Sequence, residues 1–329
     1  MSKEISKRKE IVSNIINNVS KKKWTCIVDN CNETAINSHL LQQNGILDKV
    51  IEKGHLVELK KRIFEDKFIF KDTGIKEAIS VHLFCNEHDT KLFKEIETKM
   101  IDFDDYRTQI LFSYRATCAE IRLKEKNIEM FSRVLNSQIL DIESYNPDAA
   151  ENMKILIESS KLGIKDLSFY KEQFEDYLAN ESIKNYQFTT IKYYPLKVCA
   201  STLATPLLPE EEEDYTFIHQ EKAWNSVFIN IIPQTDHLYI IIGYHKNYAN
   251  AWILSYIDSW RTNDKEQQQI NLTEVLATRI SYWGMSKSIF ITISEEMRQL
   301  FIDFWEENLM EFGTELKFGF NLFAHVESV

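Results

Sequence analysis

Two short stretches of this sequence carry residues whose types and spacing could do chemistry. "TCIVDNC" places four residues between Cys26 and Cys31, and "FCNEHD" places two between Cys85 and His88. Thiolate sulfur and imidazole nitrogen are the donors zinc takes in a tetrahedron of four. The first spacing suits a knuckle around one ion, the second a loop entering a helix. Together they predict a closed, structural Cys3His site; buried cysteines with an unrelated histidine are the alternative. The chain holds five cysteines, an odd number. That fits a reducing compartment and a metal site better than a disulfide framework. His39, in "AINSHLLQ", follows Cys31 by eight residues and is flanked by apolar side chains. It reads as a hydrogen-bonded core histidine, as a zinc ligand displacing His88, or as a general base able to take a proton from water near neutral pH.

The pattern C-x4-C…SH…C-x2-HD resembles the zinc-bound variety of the HNH, or ββα-metal, nucleases, over residues 24–97. The resemblance implies a treble-clef-like head: a cysteine knuckle, a hairpin ending in a histidine, and a helix starting with the second ligand pair. It further implies that His39 activates water. Asp89, directly after His88, would stand where a second, catalytic metal is bound, taking Mg²⁺ or Mn²⁺ through oxygen. Asn44 is the candidate for the family's middle asparagine. One helical turn on, where the family often has another polar ligand, this chain has Leu92 and Phe93. A second resemblance runs nearly the full length, to bacterial proteins with "AINSHLLQQNGIL"-like and "FCNEHDTKLFKEIE"-like segments and a helix similar to "QILFSYRATCAEIRLK". It implies a shared architecture and brings no activity with it.

The elements that must position these residues are legible in outline. Residues 4–19 carry one apolar stripe and read as a basic N-terminal helix; "GHLVEL" and "KFIF" are strand-like, and a helix begins near "NEHDT". Phe103, Tyr106, Ile110, Tyr114, Cys118 and Ile121 recur at helical spacing, in a pattern that carries on to Leu140. A second stripe, through Met153, Ile157, Ile164, Leu167, Phe174 and Leu178, follows the "SYNPD" break, so a helical hairpin is expected. From about Tyr186, β-branched and aromatic runs predict a mainly antiparallel sheet. Helices return at "NLTEVLATRISYW" and, behind Ser294, at "SEEMRQLFIDFWEENLMEF". The fold class is α+β, divided as residues 1–100, a zinc-stapled head; 101–182, the hairpin; and 183–329, an α+β domain. The acidic run at 209–215 reads as a solvated loop.

The net charge of −11 is uneven. Residues 1–100 hold 18 lysines and arginines against 15 acids, and the remainder 21 against 35. A DNA or RNA partner would therefore meet the N-terminal part, with Lys21, Lys22, Lys23, Lys60, Lys61 and Arg62 as phosphate contacts. A protein or small-ligand partner is expected for the C-terminal domain. No GxSxG elbow, GxGxxG turn or Gly-rich phosphate loop occurs. No apolar run reaches membrane-spanning length and no signal peptide is evident, so a cytoplasmic protein without membrane contact is expected. Two functions fit: a metal-dependent nuclease with structural zinc, or a non-catalytic zinc-stapled binding module.

Overall fold

A computed structural model describes residues 3–62, 67–98, 100–181, 183–206, 208, 223–308 and 313–326; the acidic run at 209–215 lies outside them. The strand-rich half forms β5 (Tyr186–Tyr193), β6 (Val198–Ala204), β7 (Val227–Pro233) and β8 (Leu238–His245). A ribbon from the first hundred residues, β2 (His55–Arg62) and β3 (Lys67–Gly74), joins them through the short β9 (Trp283–Met285). The result is a seven-stranded antiparallel sheet in the order β3-β2-β9-β6-β7-β8-β5. The fold is α+β. Two further strands, β1 (Asn37–His39) and β4 (Ser80–His82), pair with each other as a separate two-stranded sheet.

Both faces of the sheet are covered, which is why β6 and β7 are buried along their whole length. Alternation sends Phe228, Ile232 and Ile241 to one core, and Ile229, Ile231, Ile240 and Ile242 to the other. The first core is roofed by α3 (Tyr106–Leu135) and α5 (Pro147–Asn180), which pack along each other as the expected hairpin. The second is roofed by α6 (Ala251–Ser259), α7 (Lys265–Thr278) and α9 (Glu295–Glu307), with the short α8 (Lys287–Thr292) before the last. α7 ends at Thr278, short of the expected Trp283, which begins β9. Ser294 caps α9, its hydroxyl accepting the Met297 N–H at 3.1 Å.

Cap chemistry fixes the long helices. Asp105 accepts the Thr108 N–H at 2.8 Å, and Asn146 accepts the Ala149 N–H at 3.1 Å beside Pro147 at the first helical position. The stripe Ile110, Tyr114, Cys118 and Ile121 is buried as its spacing requires. The helix stops at Leu135, however, and Leu140 is buried outside it. Asn136 and Ser137 favour local backbone bonding over helix; the Ser137 hydroxyl accepts the Leu140 N–H at 3.4 Å. α4 (Ile142–Tyr145) completes the turn. The basic N-terminal helix is α1 (Lys3–Ser20), which packs on α3. No helix among the described residues is long and apolar enough to cross a membrane.

One buried acid lies where α3 meets the sheet. Glu120 accepts a hydrogen bond from the Thr202 hydroxyl at 3.3 Å. Burial pushes its carboxyl up to about 7 from an ordinary 4.5, against the pull of Lys124 and Thr202. Between those two values the folded chain holds a proton that the unfolded chain has lost, so stability falls as pH rises through this window and levels off above it. Glu120→Gln should flatten that slope and stabilise the protein at pH 8 by about 3 kcal/mol at most. Urea unfolding of both proteins at pH 5 and pH 8 checks this; an unchanged slope in the variant would count against it.

Candidate metal centre

The knuckle is a closed turn built by its own backbone. Asn30 adopts the left-handed conformation at φ 61° that reverses the chain between the two cysteines, a conformation asparagine tolerates. Cys26 N–H donates to Glu33 O at 2.8 Å and Cys31 N–H to Val28 O at 3.1 Å. The turn is laid on the chain leaving β4, with Ile27 N–H on Leu83 O at 2.9 Å and Ile36 N–H on Phe84 O at 2.7 Å. That chain delivers Cys85 to the N-cap of α2 (Asn86–Leu92), and His88 follows within the first turn. The knuckle is also anchored to both long helices. Arg122 of α3 donates to Thr25 O at 2.7 Å, and Lys171 of α5 reaches Asp29 Oδ1 at 2.9 Å.

The four donors meet. Their ligand atoms all lie within 4.8 Å of one another. Cys31 Sγ and Cys85 Sγ are 3.9 Å apart, and His88 Nδ1 stands 3.4 Å from Cys26 Sγ and 3.3 Å from Cys85 Sγ. A tetrahedron with metal–sulfur bonds of about 2.3 Å and a metal–nitrogen bond of about 2.0 Å has edges of roughly 3.5–3.8 Å. The sulfurs are far beyond the disulfide bond length of about 2.05 Å. Cys26 and Cys85 are buried and the other two half-buried, so the site is closed and a metal held there would be structural in character. Among protein groups alone, burial pushes the Cys26 thiol up to about 11. Burial acts on Cys85 in the same sense but is outweighed by backbone N–H groups of His88 and Glu87 and by the neighbouring thiols, so its pKa falls. A bound cation takes both as thiolates. Among the described residues, no other group of three or more His, Cys, Asp or Glu donors converges in this way.

No protein-family model, curated protein or solved structure matches this chain.

His39 is the last residue of β1, opposite Ser80, and is half-buried. Its Nε2 lies 2.7 Å from Ile75 O. A carbonyl only accepts, so Nε2 is the donor of this contact, and in the neutral ring the lone pair is then on Nδ1. It is His88, and not His39, that completes the sulfur cluster. Asp89 projects from α2 beside Ser38, His39 and Arg115. Burial raises the pKa of its carboxyl, opposed first by Arg115 and more weakly by Ser38 and His39. Asn44 is exposed in the turn that follows β1.

Arg115 was not foreseen from the sequence. It is 1% exposed, stacks over the Phe93 ring at 3.8 Å, binds Glu97 at 2.8 Å and stands 3.6 Å from Asp89 Oδ1. Its one signal was an arginine next to Tyr114 on a helix whose other stripe residues are core. Of the basic residues named above, Lys21 and Lys23 are exposed, while Lys22 pairs with Glu129 at 2.9 Å over the Trp24 ring. Lys60 binds Glu58 at 2.9 Å, and Lys61 and Arg62 stand on β2 opposite Phe68 and Lys67.

Proposed function

We propose that the zinc-stapled head is an HNH-like, metal-dependent nuclease centre acting on phosphodiesters, with His39 as general base and Asp89 as the acidic metal ligand. One observation carries the reading. The Cys3His cluster joins the knuckle to α2; His39 ends the strand that follows the knuckle, Asp89 follows His88 on α2, and the two side chains lie within electrostatic reach of each other. The Ile75 carbonyl leaves His39 Nδ1 free to take a proton from water. Asp89 Oδ1 is buried and makes no hydrogen bond among the described residues, its charged neighbour being the Arg115 guanidinium at 3.6 Å, so it stands where carboxylate oxygen meets positive charge. A Mg²⁺ or Mn²⁺ ion held there would supply Lewis-acid polarisation of the phosphate. Asn44, on the exposed turn after β1, is the candidate for orienting the hairpin histidine.

A second reading has its own support. The Arg115 guanidinium already balances both Asp89 and Glu97, as it would in a head that only binds. Cleavage of plasmid DNA and of RNA with Mg²⁺ or Mn²⁺ separates the two. His39→Ala should lower cutting by at least about 100-fold, the scale of a lost general base, while zinc content and unfolding stay as in the parent. A parent protein with full zinc that cuts neither substrate favours the binding module; a His39→Ala variant that loses its zinc removes His39 from the chemistry.

A further inference from the structure

The β2–β3 ribbon has two faces of opposite character. Its register puts Val57 and Leu59 together with Phe70 on one face, which packs into the second core, Phe70 lying 5.9 Å from Phe301. The other face carries Leu56, Glu58 and Lys60 of β2 with Thr73, Lys71, Ile69 and Lys67 of β3. At its inner end Leu56 and Thr73 are buried; further out, Lys71 and Lys67 are exposed. Glu58 is 2% exposed and already engaged, accepting from Lys60 Nζ at 2.9 Å and Ile79 N–H at 3.0 Å.

The neighbouring stretch of α3 is basic too. Arg122 is paired with Glu125 at 3.2 Å, and Lys126 follows one turn later. Lys126 is half-buried, and with Lys67 and Lys71 it has no ion-pair partner among the described residues. Burial, then Arg122 and Lys60, push its pKa down; burial, Lys126 and Arg122 do the same to His82 of β4. Cations gathered from β2, β3 and α3 with too few acids between them are costly to desolvate, and an anion offsets that cost. The shape favours a linear anion: four residues of strand carry Lys67 and Lys71 about 13 Å apart, close to the rise of four nucleotides at about 3.4 Å each.

We propose that the open face of this ribbon, together with Lys126 of α3, binds the phosphodiester backbone of a nucleic-acid strand, with Lys60, Lys67, Lys71 and Lys126 as its phosphate contacts. The proposal rests on the nuclease reading for its role in delivering a strand to His39, and binding can be measured without cutting. Full-length His39→Ala protein, without added Mg²⁺, is titrated into fluorescent DNA and RNA oligomers of about 20 nucleotides from roughly 50 to 200 mM salt, where phosphate contacts dominate affinity. Adding Lys67→Glu, Lys71→Glu and Lys126→Glu should weaken binding at least about tenfold at fixed salt and make the log K against log salt slope shallower by about 2–3. Lys71→Gln alone, at an exposed position, should weaken binding in the same direction, and Lys161→Glu on α5 should leave it unchanged. This surface is ruled out if the triple variant, with unaltered circular dichroism, binds as well as its parent, or if an acidic peptide outcompetes the oligomers. Binding that follows these charges in a parent protein that never cuts would keep the binding surface and sink the nuclease reading. Cutting by the parent that the three charge reversals leave unaltered would do the opposite.

Discussion

Cys85→Ser is expected to empty the metal centre and unfold the head around it. Cys85 is the donor that joins the two halves of the site: its sulfur lies 3.9 Å from Cys31 on the knuckle and 3.3 Å from His88 on α2. A serine hydroxyl is a poor zinc ligand, and the two remaining sulfurs and one nitrogen leave the tetrahedron open. Structural zinc in small folds contributes apparent binding energies of about 10–16 kcal/mol that are inseparable from folding. Losing one ligand should drop zinc from about one per chain to a small fraction and cost more than about 4 kcal/mol, the scale that follows loss of a metal. The damage should spread, because Cys26 and Cys85 share one apolar cluster with Phe84, Phe93 and Tyr114. Cys118→Ser is the control: that thiol is fully buried on α3, outside the donor set, and its loss should leave zinc content untouched. Elemental analysis with thermal unfolding gives the answer, and a Cys85→Ser protein that keeps its zinc would dismiss the four-donor centre.

The second large effect is expected at Arg115. Alanine there removes a guanidinium that faces two carboxylates and an aromatic ring inside the protein. Breaking a buried pair from one side costs about 3–5 kcal/mol, since the opposing charge is left without its partner. Asp89 is 18% exposed and Glu97 36%, so water takes up part of that burden and about 3 kcal/mol is expected. Asp89→Asn made in the same chain should recover about 1 kcal/mol, as contacting residues couple on that scale. Urea unfolding of the two single variants and the double variant measures this. A cost for Arg115→Ala below about 1 kcal/mol would mean that the guanidinium is not what holds Asp89 in place.

How much of this was legible depended on the reach of each interaction. The donor set was readable because both pairs are local, and only the meeting of 26–31 with 85–88 had to be inferred. Helices α3 and α5 announced themselves by apolar spacing over many turns. The end of α3 did not, because Leu140 keeps the apolar rhythm while Asn136 and Ser137 break the backbone pattern beneath it. The place of β2 in the large sheet was out of reach: it rests on two register pairs, Val57 with Met285 and Glu58 with Gly284, between segments more than 200 residues apart. Arg115 was hidden for a related reason. Its partners Asp89 and Glu97 come from the stretch before α3, and an arginine set among buried helix residues does not say which acids it will meet.

The ribbon's position has a consequence for how the chain tolerates being divided. β2 and β3 lie in sequence between the two strands of the small hairpin, yet hydrogen-bond into a sheet completed by residues 283–285. A cut near residue 100 would carry the ribbon off with Val57, Leu59 and Phe70 stripped of their cover, and would leave β9 without one neighbour. Neither fragment would be a self-sufficient folding unit, so shuffling of the sulfur-rich portion between proteins would have to take the far end of the chain with it.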